Sequence, residues 1–445
     1  MARFFKWGAG LILAALLIVG VVALALHSWV GSDDFRQRME REASAALGLP
    51  VLLGGIEVAL WPLPAVAVRD LRVLSQPTLT LARVEVRPGW SALLRGRLEI
   101  ATLVLRQAVL PQQAVDAIFL SLQKNKQATP ATFGSEAGKA HNAKVDSEVA
   151  VSDWLPRRAV LEGVRWVSLK GASTTLDAEV RLGTDSLPDD ATLKVVQGHL
   201  NGLQARLQRE EAGQWGLHVT VGGGTVAGRI GLQQQPAAQG GPMLVVQGQL
   251  ETRGVEVAAL TAPNKPLSGR LEASTTLNAK AATTVALVDA LQTQTRFTVK
   301  DAVLHGLDLV KAVQTVGLNR GGQTRLDTLA GQLHSQGRAL QLSNLVASSG
   351  ALSATGNVAV SPAKTLSGRL SVNLAGDSKL GQALGGAVGV PLMVSGTLDA
   401  PEVTLTRGAL LGAAIGTAVM PGAGTGAGLQ LGDRLGQGLK KLFGK

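Results

Sequence analysis

The sequence predicts a mainly β protein: an N-terminal transmembrane helix, then a long, twisted, curled antiparallel β-sheet groove with a few short helices and a Gly-rich helical C-terminus. Hydrophobic residues make up 46% of the 445 residues but aromatic residues only 3%, so Val, Leu, Ala and Ile form the apolar surface. β-Branched residues fit a pleated sheet, and 54 glycines punctuate the chain. Runs of alternating apolar and polar residues recur, as in half-buried strands.

The uncharged stretch Trp7–Leu26 predicts a signal anchor. It matches the roughly 20 apolar residues that a helix needs to span a bilayer. Arg3 and Lys6 precede it, so the positive-inside rule keeps the N-terminus in the cytoplasm and exports the rest of the chain. The alternative is a cleaved signal peptide ending at Ala23–Ala25. The apolar stretch is longer than the roughly 7–15 residues of a signal h-region, which favours the uncleaved anchor.

A short helix of about 15 residues is predicted directly after the anchor. Ser32 can cap its N-terminus, where Asp33 and Asp34 favour the positive end of the helix dipole. Gly48 and Pro50 end the helix. Its apolar positions recur at helical spacing, at Phe35, Met39, Ala43 and Ala46.

Strand-like alternation begins beyond this helix, and a pair of prolines interrupts it. Proline cannot donate a hydrogen bond to a sheet ladder, so Pro62 and Pro64 predict a bend or a sheet edge. The apolar positions on either side of the prolines are Ile56, Val58 and Leu60, then Val66, Val68 and Leu71.

Two later strands show the alternation most regularly, and their apolar faces are the predicted lining of the groove. In the first, Arg270, Glu272 and Asn278 fall on the opposite, polar face. In the second, Arg369 and Asn373 do so. The predicted lining residues are Leu267, Leu271, Ala273 and Leu277 in the first strand, and Leu366, Leu370, Val372 and Leu374 in the second.

Two segments depart from this pattern. Residues 121–150 are small, polar and aperiodic, which is typical of a disordered loop or an insertion. The end of the chain predicts a basic amphipathic helix that either lies on a membrane surface or caps the sheet. Its apolar face is Leu431, Leu435, Leu439 and Leu442, close to Lys440, Lys441 and Lys445.

No residue pattern indicates catalysis, a metal site or a cofactor. The chain has no Cys, which excludes thiolate ligands and disulfides. Its six histidines are scattered and form no HExxH motif. Gly422–Gly428 lacks both the GxGxxG spacing and the Gly-Lys-Ser/Thr ending of a phosphate loop. We therefore expect no enzymatic activity and no cofactor.

The formal charge of +11 comes from 43 Lys and Arg against 32 Asp and Glu. A basic balance accompanies binding to nucleic acid or to anionic lipid headgroups, or only solubility. Proteins that bind single-stranded nucleic acid place stacking aromatics among their basic clusters, whereas these charges are spread thinly and aromatics are scarce. We expect no nucleic-acid partner.

The start of the exported region resembles the N-terminal signature of the AsmA family. A Gly-x-Pro-Val start, a Pro-x-Pro bend and an Asp-hydrophobic-x-Val strand appear in order after an anchor. These are Gly48, Pro50, Val51, Pro62, Pro64, Asp70, Leu71 and Val73. The stretch from FTVKDAVLHGLDL to VPLMVSGTLDAPEVTL is similar to the family's C-terminal region. Together the two regions cover about 31–110 and 295–405.

The resemblance implies a single-pass inner-membrane protein of Gram-negative type with a periplasmic body. Its groove would carry membrane phospholipids towards the outer membrane, with an unidentified outer-membrane or periplasmic protein as partner. The alternative is a non-transporting scaffold or regulator that assists outer-membrane protein assembly. The expected regions are a cytoplasmic N-terminus 1–6, an anchor 7–30, an AsmA-like N-terminal region 31–120, a flexible loop 121–155, a middle groove 156–294, an AsmA-like C-terminal region 295–406 and a tail 407–445.

Overall fold

The computed structural model places two compact units, Met1–Arg206 and Leu207–Lys445. Both are mainly β, with strands and a few short helices. Among the residues that the structure describes, no helix is long and apolar enough to cross a membrane. The predicted anchor Trp7–Leu26 and the tail helix lie outside those residues. The described residues are 33–59, 65–89, 99–127, 156–169, 171–236, 243–262, 265–282, 284–314, 321–350, 352–374, 390–398, 400–406 and 408–409.

The first unit begins with the predicted helix and then follows the predicted strands. Strands β1 and β2 both pair with β3, and β3, β4 and β5 pair in chain order. Strands β6, β7 and β8 continue the order. The elements are α1 Asp33–Leu47, β1 Val51–Leu52, β2 Gly55–Ala59, β3 Ala65–Val73, β4 Leu79–Pro88, β5 Ile100–Pro111, α2 Gln112–Gln127, β6 Arg158–Val167, β7 Ser173–Leu182 and β8 Pro188–Gln197; β9, Gln204–Glu211, crosses the boundary between the units.

Helix α1 confirms the predicted helix and is tied to the first strand by its own side chains. Gly48 ends it with φ +68°, a left-handed conformation that glycine adopts readily. The Ser44 hydroxyl accepts a hydrogen bond from the Val51 amide at 2.8 Å, and a Glu40 carboxylate oxygen accepts one from Leu53 at 2.7 Å. The turn after the helix is therefore fixed in place. A small core lies here, built from Val51, Leu53, Val73, Leu79 and Ala114.

Strands β5 and β6 pair in parallel, which corrects the prediction of an antiparallel sheet at this point. Parallel neighbours need a long crossover connection, and helix α2 forms its first part. The same helix corrects the predicted loop 121–155, because its residues 121–127 are helical. The Ser121 hydroxyl donates to the Leu47 carbonyl at 2.5 Å, which joins α2 to the end of α1.

The second unit is an antiparallel sheet in which β10 to β20 pair strictly in chain order. The region after residue 295, which resembles the family's C-terminal region, runs from a strand through a short helix into further strands. The elements are β10 Gln214–Val221, β11 Gly224–Gln235, β12 Met243–Glu256, α3 Val257–Leu260, β13 Leu267–Ala281, α4 Thr284–Asp289, β14 Gln292–His305, α5 Leu309–Gln314, β15 Gln323–Gln336, β16 Ala339–Ser349, β17 Leu352–Val360, β18 Leu366–Leu374, β19 Val390–Thr397 and β20 Ala400–Leu405.

The core of the second unit is formed mainly by residues of strands β14 to β20. Helix α5 contributes Leu309, which is 2% exposed, and packs it with Val299, Val372 and Leu392. Bulges interrupt the register between β12 and β13, and again between β13 and β14. Bulges bend strands and increase their twist, which allows a sheet to curl around such a core.

Candidate functional site

Two rows of aliphatic residues cross strands β3 to β8 on one face of the first unit. Directly opposed residues of neighbouring strands point to the same face, so these side chains form one surface, called here the aliphatic face. Six strands at spacings of about 4.8 Å make it roughly 24 Å wide. The first row is Val68, Val84, Leu105, Leu161, Ala178 and Leu193, and the second is Val66, Val86, Leu103, Ala159, Val180 and Ala191.

All twelve side chains of the aliphatic face retain partial exposure, and Val66 is 38% exposed. Val372 and Leu392, in the core of the second unit, are at 0%. Apolar area in contact with water is unfavourable by about 25 cal/mol per Å². A ligand that covers the aliphatic face therefore gains from this surface, whereas it gains nothing from residues already packed in a core.

The aliphatic face is continuous at one end with the small core beneath α1 and α2. Val68, the first member of the first row, packs against that core, as does Ile56 of β2. The core includes Ala114 of α2, which is 0% exposed. The two helices thus close one end of the surface, next to the part of the chain that follows the predicted anchor.

The opposite face of the same strands carries ion pairs. Glu179 of β7 accepts hydrogen bonds from Arg158 at 2.9 Å and from Arg181 at 3.0 Å. Glu85 pairs with Arg87 at 2.7 Å. The hydrogen bond from Arg158 lowers the pKa of Glu179 below its ordinary value of 4.5, and Arg181 adds to this effect. This sheet therefore has one aliphatic surface, whereas its other face mixes ion pairs with aliphatic residues such as Val104.

Three arginines lie opposite one another in β3, β4 and β5 and line a cavity of about 440 Å³. Carboxylate side chains form ion pairs with all three arginines. Glu57 contacts Arg69 at 2.8 Å and Arg83 at 3.5 Å, and Glu162 contacts Arg106 at 2.7 Å. The charges in this cavity largely balance, so its chemistry is that of an ion-pair network.

The predicted groove residues of the second unit show the expected alternation, but most of them pack against its core. In β13, Ala273 is buried, while Arg270 and Glu272 on the other face are exposed. Val372 is fully buried, whereas Leu277 is partly exposed and does not belong to the core of the second unit. The residues that pack against the core are Leu267, Leu271, Leu366 and Leu370. The side chain of Leu374 lies outside the described set; its backbone pairs with Leu352.

In the second unit, hydroxyl groups interrupt the apolar face of strands β13 to β15 where the residues of its core do not cover it. Thr275 and Thr295 share a hydrogen bond of 2.9 Å between their hydroxyls, and Thr293 and Ser335 share one of 2.6 Å. These pairs satisfy the polar atoms on that face. Its aliphatic surface is nevertheless broken, whereas the two rows on β3 to β8 consist of aliphatic residues throughout.

A second cavity, of about 580 Å³, lies over the polar face of the second unit. Two rows of opposed residues in β11 to β15 form much of its lining, to which Gln214, Ile230, Gln233, Gly248, Leu277 and Thr293 also belong. One row is Arg229, Gln249, Thr276, Gln294 and His334, and the other is Gly231, Gln247, Asn278 and Gln292.

The motif residues of the predicted family signature have structural positions in the first unit. Asp70 lies within β3 at φ +49°, an unusual conformation for a residue other than glycine. Gly54 packs so closely beside Asp70 that a Cβ there would lie 2.8 Å from the Asp70 Cβ. Pro50 is exposed after α1. Pro62 and Pro64 lie outside the described residues, but the strands on either side of them pair, Ala59 opposite Ala65.

The sequence prediction did not single out the residues of the aliphatic face. Its signal is present in LTLARVEVRP, IATLVLRQAVL and RAVLEGVRWV, whose alternating Val and Leu residues predict strands. Among the described residues, no group of three or more His, Asp or Glu side chains could hold a metal ion. Comparisons of the chain with family models, with curated proteins and with solved structures find no match.

Proposed function

We propose that this chain is an AsmA-like protein, anchored in the inner membrane and facing the periplasm, that takes part in phospholipid transport to the outer membrane and in outer-membrane biogenesis. The observation that carries the proposal is the aliphatic face: twelve opposed aliphatic side chains, all partly exposed, in a sheet whose other face carries ion pairs. Such a face binds acyl chains by removing apolar area from water and needs no catalytic group.

The dimensions of the aliphatic face support this ligand. One leaflet of a bilayer contributes about half of the roughly 30 Å hydrocarbon thickness. A surface about 24 Å wide across six strands can therefore accommodate one extended acyl chain laid across the strands. Headgroups would remain in water, since this face offers aliphatic side chains only.

The closed core of the second unit favours a second candidate, a non-transporting scaffold or regulator of outer-membrane protein assembly. Val372, Leu392 and Leu405 are 0–4% exposed, which leaves no room for an acyl chain among them. In that role the aliphatic face would contact an outer-membrane or periplasmic protein. The two candidates differ in what covers the aliphatic face.

Purification of the full chain from cells in a mild detergent, followed by lipid extraction, tests the proposal. We expect phospholipid to co-purify at a stoichiometric level, and the variant Leu103→Gln/Leu105→Gln to lose most of it. The matched control is Thr102→Gln/Thr192→Gln, which adds two glutamines to the opposite face of the same sheet and should retain the lipid. Equal lipid content in all three proteins, or none in the wild type, contradicts the proposal.

A further inference from the structure

Amide side chains are the most frequent type in the lining of the cavity over the polar face of the second unit, which also includes the aliphatic residues Ile230 and Leu277. Gln247, Asn278 and Gln292 are directly opposed in β12, β13 and β14, and Gln249 and Gln294 flank Thr276 in the neighbouring row. Because adjacent strands lie about 4.8 Å apart, the two rows form a regular array of donors and acceptors. This set of residues is called the amide array.

The amides of the array have no hydrogen-bond partner in the part of the chain that the structure describes. Among the described residues, the side chains of Gln247, Gln249, Asn278, Gln292 and Gln294 make no hydrogen bond, and all five are exposed. An amide carries two donors and an acceptor with two lone pairs. The array therefore presents a dense set of free hydrogen-bonding groups to whatever enters the cavity.

The cavity also carries little net charge. Its arginine, Arg229, pairs with Glu210 at 2.9 Å, and among the described lining residues the other titratable one is His334. An anionic ligand would find no unpaired guanidinium here, and a cation would find no carboxylate among the lining residues. The chemistry that matches free amides without net charge is a neutral molecule with many hydroxyl or amide groups.

We propose that the amide array binds a neutral oligosaccharide. The volume of about 580 Å³ lies within the range of small-ligand sites, roughly 300–1,000 Å³. The open, exposed rows suit a sugar chain that runs across the strands, with its hydroxyls exchanging hydrogen bonds with the amides. The site is on the polar face of the second unit, so this binding is independent of the proposed lipid function.

The test screens the full chain, in detergent, for binding to a panel of neutral and anionic oligosaccharides. The affinities of those that bind are then measured by calorimetry. A hydrogen bond contributes a net of about 1 kcal/mol, which is about fivefold in affinity. Gln249→Ala and Gln294→Ala should each weaken binding of the best neutral glycan about fivefold, and the double variant about 25-fold. Gln341→Ala is the matched control, because Gln341 is an exposed glutamine opposite His334 but outside the cavity lining.

Salt dependence separates this ligand class from an anionic one. Binding of a neutral glycan should be unchanged between low and high salt, because no counterion is released. The proposal is overturned if no neutral glycan binds, if the best ligand is anionic and its affinity falls steeply with salt, or if the double variant binds as the wild type does. Circular dichroism of the variants, whose substitutions are all at exposed positions, checks that each is folded.

Discussion

Two leucine-to-alanine substitutions separate a closed core from an open face. Leu392 is 0% exposed in β19, opposite Leu370 and Leu405. Its replacement removes buried methyl groups and leaves a cavity, so Leu392→Ala should lower the free energy of unfolding by about 2–5 kcal/mol. Leu105 is already partly exposed. Leu105→Ala should therefore cost less, about 1–2 kcal/mol, in protein freed of lipid.

Urea unfolding followed by circular dichroism measures both costs in the full chain, first without lipid and then with added phospholipid. A ligand that binds only the native state raises its stability by mass action. Phospholipid should therefore stabilise the wild type and Leu392→Ala alike, and Leu105→Ala less. If Leu105→Ala costs as much as Leu392→Ala without lipid, the aliphatic face is covered by the protein itself and the reasoning is wrong.

Three further substitutions test local features. Glu179→Gln should be less stable than the wild type at neutral pH. The difference in stability should shrink as the pH falls below about 4.5 and through the lowered folded-state pKa of Glu179, because the wild-type carboxylate then becomes protonated too. A stability difference that does not change with pH refutes this. Asp70→Val should destabilise by about 1–2 kcal/mol and Asp70→Gly should not, because φ is +49°; equal midpoints in thermal unfolding contradict it. Gly228→Ala should lower the free energy of unfolding by about 1–3 kcal/mol, because the new Cβ would overlap the backbone of β12. Gly350→Ala is the control, because a Cβ at Gly350 meets nothing within 4 Å. Similar melting temperatures for the two variants would contradict this prediction.

The strands and their faces could be predicted from the sequence because the alternation is local. In β13, Leu271 and Ala273 point inward and Arg270 outward, as their order along the chain indicates. Helix α1 was predicted for the same reason, from a capping site and apolar positions at helical spacing. Both features depend on residues a few positions apart.

Which apolar faces are closed could not be predicted, because closure depends on distant elements. Val372 and Leu277 have the same alternating pattern around them, yet Val372 is buried by residues such as Leu309 of α5 and Val390 of β19, and Leu277 is not. The parallel pairing of β5 with β6 likewise depends on the crossover through α2, which no alternation reveals. The site prediction therefore placed most of its residues in a core, although it identified strands of the right kind.

Photocrosslinking in cells at Leu103 tests the central claim most directly, with Thr102 as its control. These neighbours lie on opposite faces of β5, both partly exposed, and Thr102 faces the arginine side. Leu370 would be a poor position for the probe, because it packs against the core of the second unit. The account predicts phospholipid captured at Leu103 and not at Thr102. Capture of a protein at Leu103, or of phospholipid equally at both positions, would contradict it.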